Sequence, residues 1–181
     1  VLQNMDESLT LHYSNEDDRA YGLAGMAISL AALDAIDRIS SVSLDAEGPM
    51  VTFSHSYYYC GSPSVSPKST WDHLINNYYL TSAMVLSNVM ARAMVRMGRR
   101  DVPAGILDSV KEHIREEGRD TCSLDPDEID AIYDKTFRTA SRIFTNPRLH
   151  PAIQEFARVI SRRRTLSGME IADELHLLQL I

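Results

Sequence analysis

The chain has 181 residues, a hydrophobic fraction of 44%, a charged fraction of 24% and a formal net charge of −7 at pH 7. That is enough chain to bury a core, in one ordinary domain or two small ones, and the composition excludes intrinsic disorder. The acidic balance excludes a phosphate-backbone binder unless its basic surface is strongly local.

Residues 1–14 lack the basic flank and apolar run of a signal peptide. The first long helix is expected to begin at Ser14 or Asn15, where S-N-E-D offers a capping oxygen and an acid three residues later, and to run toward Ser40. Ala20, Ala24, Ala27, Ala31 and Ala35 recur at helical spacing, so a second backbone can approach that stripe closely. The uncharged run 20–33 is shorter than the roughly 20 residues a membrane span needs.

Two extended segments come next, S-V-S-L-D and M-V-T-F-S-H-S-Y-Y-Y, on either side of a Gly-Pro turn signal. The second alternates, with Val51, Phe53, His55, Tyr57 and Tyr59 on one face. A β-hairpin pairing 41–45 with 50–59 is predicted. Its aromatic face needs cover, because an isolated hairpin is marginal in water. Packing against helices is the plain reading of that face. The functional reading makes His55, Tyr57 and Tyr59, opposite Trp71, a shallow cleft for a small apolar or aromatic ligand.

A second long helix is predicted over 69–97, started by S-T-W-D and stopped by Gly98. It is apolar nearly all round, which implies burial on several sides, in a bundle centre or a dimer interface. Its uncharged stretch 73–91 carries His73, Asn76, Asn77, Thr81, Ser82, Ser87 and Asn88, too polar for lipid. Four shorter helices follow. Asp101 and Pro103 open one that Gly118 closes; D-P-D-E at Asp125 to Glu128 caps the next, which N-P at Asn146 and Pro147 stops. Pro151 begins a third and S-G-M-E at Ser167 to Glu170 caps the last.

Arg158, Arg162, Arg163 and Arg164 gather at a helix end, where the helix macrodipole favours cations, so they are read as helix electrostatics and not as a nucleic-acid patch. S-G-M-E-I-A-D-E-L resembles the opening helix of helix-turn-helix domains. A recognition helix would have to follow within a few residues, and none is expected before Ile181, so no DNA contact is assigned. The six histidines lack the spacing that places two ligands on one helical face, so no metal or other cofactor is assigned. The 2 cysteines, Cys60 and Cys122, also lack motif spacing, and reduced thiols in a cytoplasmic protein are expected. No nucleophile elbow or phosphate loop occurs, and no catalytic residue is assigned.

The expectation is an all-α protein, a bundle of about six helices with a β-hairpin inserted after the first. Residues 1–181 form one domain, with 1–100 and 101–181 as its natural sub-units. The leading functional expectation is a cytoplasmic interaction or structural protein that self-associates as a homodimer, with no nucleic-acid or membrane partner. The alternatives are a small-molecule-binding module built on the aromatic hairpin and an enzyme without a recognisable motif.

Overall fold

A computed structural model describes residues 9–58, 66–98 and 101–180. Helix α1, Glu16–Ala32, starts where S-N-E-D places it: Asn15 is the N-cap, and its side-chain oxygen accepts the Asp18 amide at 2.9 Å. It ends earlier than expected. Asp34 adopts a left-handed backbone, a 3-10 turn covers Ile36–Arg38, and strand β1 begins at once, Ile39–Ser43. A left-handed residue breaks the α ladder, and the following Ile-Ser-Ser-Val run suits a pleated, half-buried strand better than a helix.

Strand β2 is Val51–Phe53, antiparallel to β1 with Val42 opposite Val51 and Ile39 opposite Phe53. The predicted hairpin is present but its second arm is much shorter than 50–59. At His55 the chain winds into the four-residue helix α2, His55–Tyr58, so the alternation past Phe53 does not place side chains on a sheet. A further difference is strand β3, Thr165–Ser167, which pairs with the other edge of β1 and gives a three-stranded sheet of order β2-β1-β3. The small sheet therefore joins the two halves of the chain. β1, the central strand, has neighbours on both sides.

Helix α3, Pro67–Met97, is capped by Ser66, three residues before the predicted start, and ends at Gly98 in the left-handed conformation expected of a C-terminal glycine. Helix α4, Ala104–Cys122, runs through Gly118 and stops at Ser123, itself left-handed. Gly118 serves close packing: a Cβ there would stand 2.6 Å from the Tyr78 hydroxyl, which donates to the Ile114 carbonyl at 2.8 Å. Helix α5, Pro126–Phe144, carries the predicted Asp125/Glu128 capping box. Helix α6, Leu149–Arg163, begins two residues before Pro151, and helix α7, Gly168–Leu177, has the predicted Ser167/Glu170 box.

Mostly helical, then, with a small antiparallel sheet after the first helix, the fold is arranged around α3. Helices α1, α4, α5 and α6 all pack against it, and its buried residues, Tyr78 to Met94, are covered from within the same chain. The α1–α3 contact is the most extensive, and the alanine-and-glycine stripe permits it. A Cβ at Gly25 would lie 2.5 Å from both the Ser87 carbonyl oxygen and the Ala91 methyl. The buried apolar residues of residues 1–100 and 101–181 form one continuous cluster.

Candidate functional site

Of the four residues of the predicted aromatic cleft, His55, Tyr57 and Trp71 are among the described residues. Tyr57 is buried; its ring stacks on Phe53 with centroids 4.2 Å apart, its hydroxyl bonds Thr81, and its carbonyl accepts from the Asn77 amide. The Arg38 guanidinium donates to the Ser56 carbonyl at 3.0 Å and holds α2 against the sheet. His55 is exposed. Trp71 is 44% exposed and lies six residues before Asn77 on α3, about 9 Å of rise and about 240° of rotation away. Tyr59 and Cys60 lie outside the described residues. Tyr57 is thus a packing residue, and Trp71 faces another side of α3.

A different constellation forms where α3 crosses α1. Arg92 is fully buried and Asp18 is 1% exposed. Arg92 Nε and Nη2 donate to Asp18 Oδ1 and Oδ2 at 2.8 and 2.7 Å, a bidentate fork. Arg96 Nη1 and the Ser14 amide add bonds to Oδ2 at 3.2 and 2.9 Å. Burial by itself disfavours the Asp18 carboxylate; the hydrogen bonds from Arg92 and Ser14 and the charges of Arg92 and Arg96 outweigh it, and hold the carboxyl below its ordinary value.

The same guanidinium pins the segment 9–14 across the bundle. Its Nη2 and Nη1 donate to the carbonyls of His12 and Leu11 at 2.9 and 3.4 Å, and it sits 4.9 Å from the Tyr13 ring centroid. The Tyr13 hydroxyl accepts from Asn88 Nδ2 at 2.8 Å, and Leu9 is buried. Gly22 makes room for that amide, since a Cβ there would be 2.5 Å from Asn88 Nδ2.

Beside this clamp lies a groove of about 300 Å³ lined by Leu11, His12, Tyr13, Met26, Val85, Asn88, Val89 and His113. Its walls are apolar and its polar groups few: one amide, one phenol and two imidazoles, the mix expected of a small-ligand site. Among the described residues its lining contains no Asp or Glu. Two larger concavities are more polar. One, about 470 Å³, lies between α1 and α6 along Asp17, Tyr21, Gln154, Arg158, Ser161 and Arg162; the other, about 410 Å³, lies at the start of α3 around Lys68, Asp72 and His73.

The arginine run is largely neutralised. Arg158 pairs with Glu155, Arg163 with Glu170 and Glu174, and Arg164 with Glu16 and Asp45. Among the described residues no three His, Cys, Asp or Glu side chains converge as a metal site, and no helix is long and apolar enough to cross a membrane.

The sequence carried one signal for this site. Arg92 interrupts the apolar run A-R-A-M, and an arginine inside an all-round apolar helix needs a buried partner. That the partner is Asp18, 74 residues away, depends on the fold. No family model, curated protein or solved structure matches the chain.

Proposed function

We propose that this protein is a helical small-molecule-binding module whose site is the groove roofed by segment 9–14, not the aromatic hairpin. One observation carries the reading: a fully buried arginine is spent on fixing an otherwise irregular segment over a mostly apolar groove. Burying an ion pair is a poor way to gain stability, because desolvation offsets most of the attraction. What the pair does provide is a fixed position for Leu11, His12 and Tyr13, the lip of the groove. A site held on rigid elements loses less entropy on binding.

The volume of about 300 Å³ sits at the lower limit of small-ligand clefts, and at roughly 30 Å³ per heavy atom it holds about ten. A ligand present at about 100 times its dissociation constant stabilises the folded state by about 2.7 kcal/mol. For a chain of this size that is a rise of about 5–10 °C in Tm. Thermal melting against small apolar compounds tests the proposal, with Val85→Trp, which fills the groove, as the control that should abolish the shift. A shift that survives Val85→Trp places the ligand elsewhere.

Self-association is the second reading, and one feature favours it. Met169 and Leu177, on α7, are 79% and 74% exposed and lie two turns apart. Light scattering on the wild type and on Met169→Ser/Leu177→Ser decides it: a dimer that the double variant dissolves supports this reading, and a wild-type monomer removes it.

A further inference from the structure

Resting on the groove proposed above, the inference concerns what kind of head group it takes. The chain carries 25 acidic against 18 basic residues, yet the eight described residues that line the groove include no acid. They include donors instead. The Tyr13 hydroxyl accepts from Asn88 and keeps its own proton to donate. His12 and His113, both exposed, stand at the lip, His12 on segment 9–14 and His113 on α4. Imidazole can meet an anion as an N–H donor whether neutral or protonated. Leu11 beside them and Met26, Val85 and Val89 on the walls offer only hydrocarbon and thioether.

We infer that the groove selects a small apolar acid, an alkyl or aryl body of about ten heavy atoms whose carboxylate is held among His12, Tyr13 and His113. The apolar walls take the body, and the donor-rich lip takes the head. A cationic head finds no counter-charge among the described lining residues, and a neutral hydroxyl forms only the weaker, uncharged hydrogen bonds.

Three probes that share an eight-carbon chain separate head from tail: octanoate, 1-octanol and octylammonium, titrated calorimetrically into the full chain. Octanoate should bind on the order of tenfold tighter than 1-octanol, the advantage of charge-assisted over neutral hydrogen bonds, and octylammonium should bind weakest. His12→Gln/His113→Gln should lower octanoate to the level of 1-octanol. Both positions are exposed, so a melting curve should show the variant still folded. Leu11→Glu puts an acid on an exposed position of the lip and should turn the preference toward octylammonium. Equal binding of all three probes to the wild type, or a preference for octylammonium, overturns the anionic assignment while leaving the groove in place. Binding by none of them, or binding that Val85→Trp does not change, overturns the groove reading as well.

Discussion

Arg92 and Asp18, 74 residues apart in sequence, meet in a buried bidentate ion pair that joins α1, α3 and the segment preceding α1. The fork fixes two elements, and two of the three remaining N–H groups fix a third by capturing the Leu11 and His12 carbonyls. Fold and groove therefore share one joint.

Breaking that joint from either side strands a buried charge: Asp18→Leu leaves Arg92 without its fork partner, and Arg92→Met leaves Asp18 with Arg96 alone of its two guanidinium partners. Arg92→Met or Asp18→Leu should each cost about 3–5 kcal/mol in urea unfolding, while the double variant should recover a large part of the loss. Segment 9–14 should lose hydrogen-exchange protection in the two variants that lack Arg92, because the Leu11 and His12 carbonyls have lost their donor, and in Asp18→Leu at Ser14, whose amide has lost its acceptor. If each single variant costs under about 1 kcal/mol, the pair does not organise the bundle.

Acid should act through the same carboxylate. Because the folded-state pKa of Asp18 is lowered, its contribution to stability is complete above the unfolded value near 3.8 and disappears as pH falls through the folded value. Stability should drop below about pH 4, and Asp18→Asn should flatten that limb. Asp45, Asp130 and Glu170 shift in the same direction, but they lie at the surface, where such pairs contribute little. An acid limb unchanged in Asp18→Asn would contradict the assignment.

Close approach of α1 to α3 makes a second quantity predictable. Gly25→Ala drives a methyl into the Ser87 carbonyl and should destabilise by about 1–3 kcal/mol. Gly105→Ala, in an exposed part of α4 where an added Cβ meets nothing within 4 Å, should instead gain about 0.5 kcal/mol. Chemical denaturation of the two variants distinguishes steric crowding from a general effect of losing glycine.

Tyr57 should behave as core. Tyr57→Ala should cost about 3 kcal/mol, and Tyr57→Phe, which removes only the hydroxyl bonded to Thr81, about 1 kcal/mol. A Tyr57→Ala variant as stable as the wild type would restore the aromatic hairpin as a candidate pocket.

Much of the helical framework was legible because its signals are local. Asn15, the Asp125/Glu128 box, the Ser167/Glu170 box and Gly98 all act within four residues, and each stands where the sequence placed it. The errors arose where distant groups decide. Residues 54–58 alternate as a strand would, but the carbonyls of Ser56 and Tyr57 are satisfied by Arg38 and Asn77, which permits the turn into α2. Gly118 reads as a stop, yet α4 continues through it, and the glycine serves the Tyr78 hydroxyl, which occupies the space a side chain would need. β3 is three residues long and pairs with a strand more than 120 positions earlier, so no local pattern announces it. The groove was illegible for the same reason: its lining comes from segment 9–14, α1, α3 and α4, and only Arg92 hinted that something polar lay beneath.

Methyl chemical-shift mapping during an octanoate titration examines the groove most directly. The Leu11, Met26, Val85 and Val89 methyls should move together along one saturating curve. Shifts confined to Met169 and Leu177 on α7, or an unperturbed spectrum at millimolar octanoate, would contradict a ligand site beneath segment 9–14.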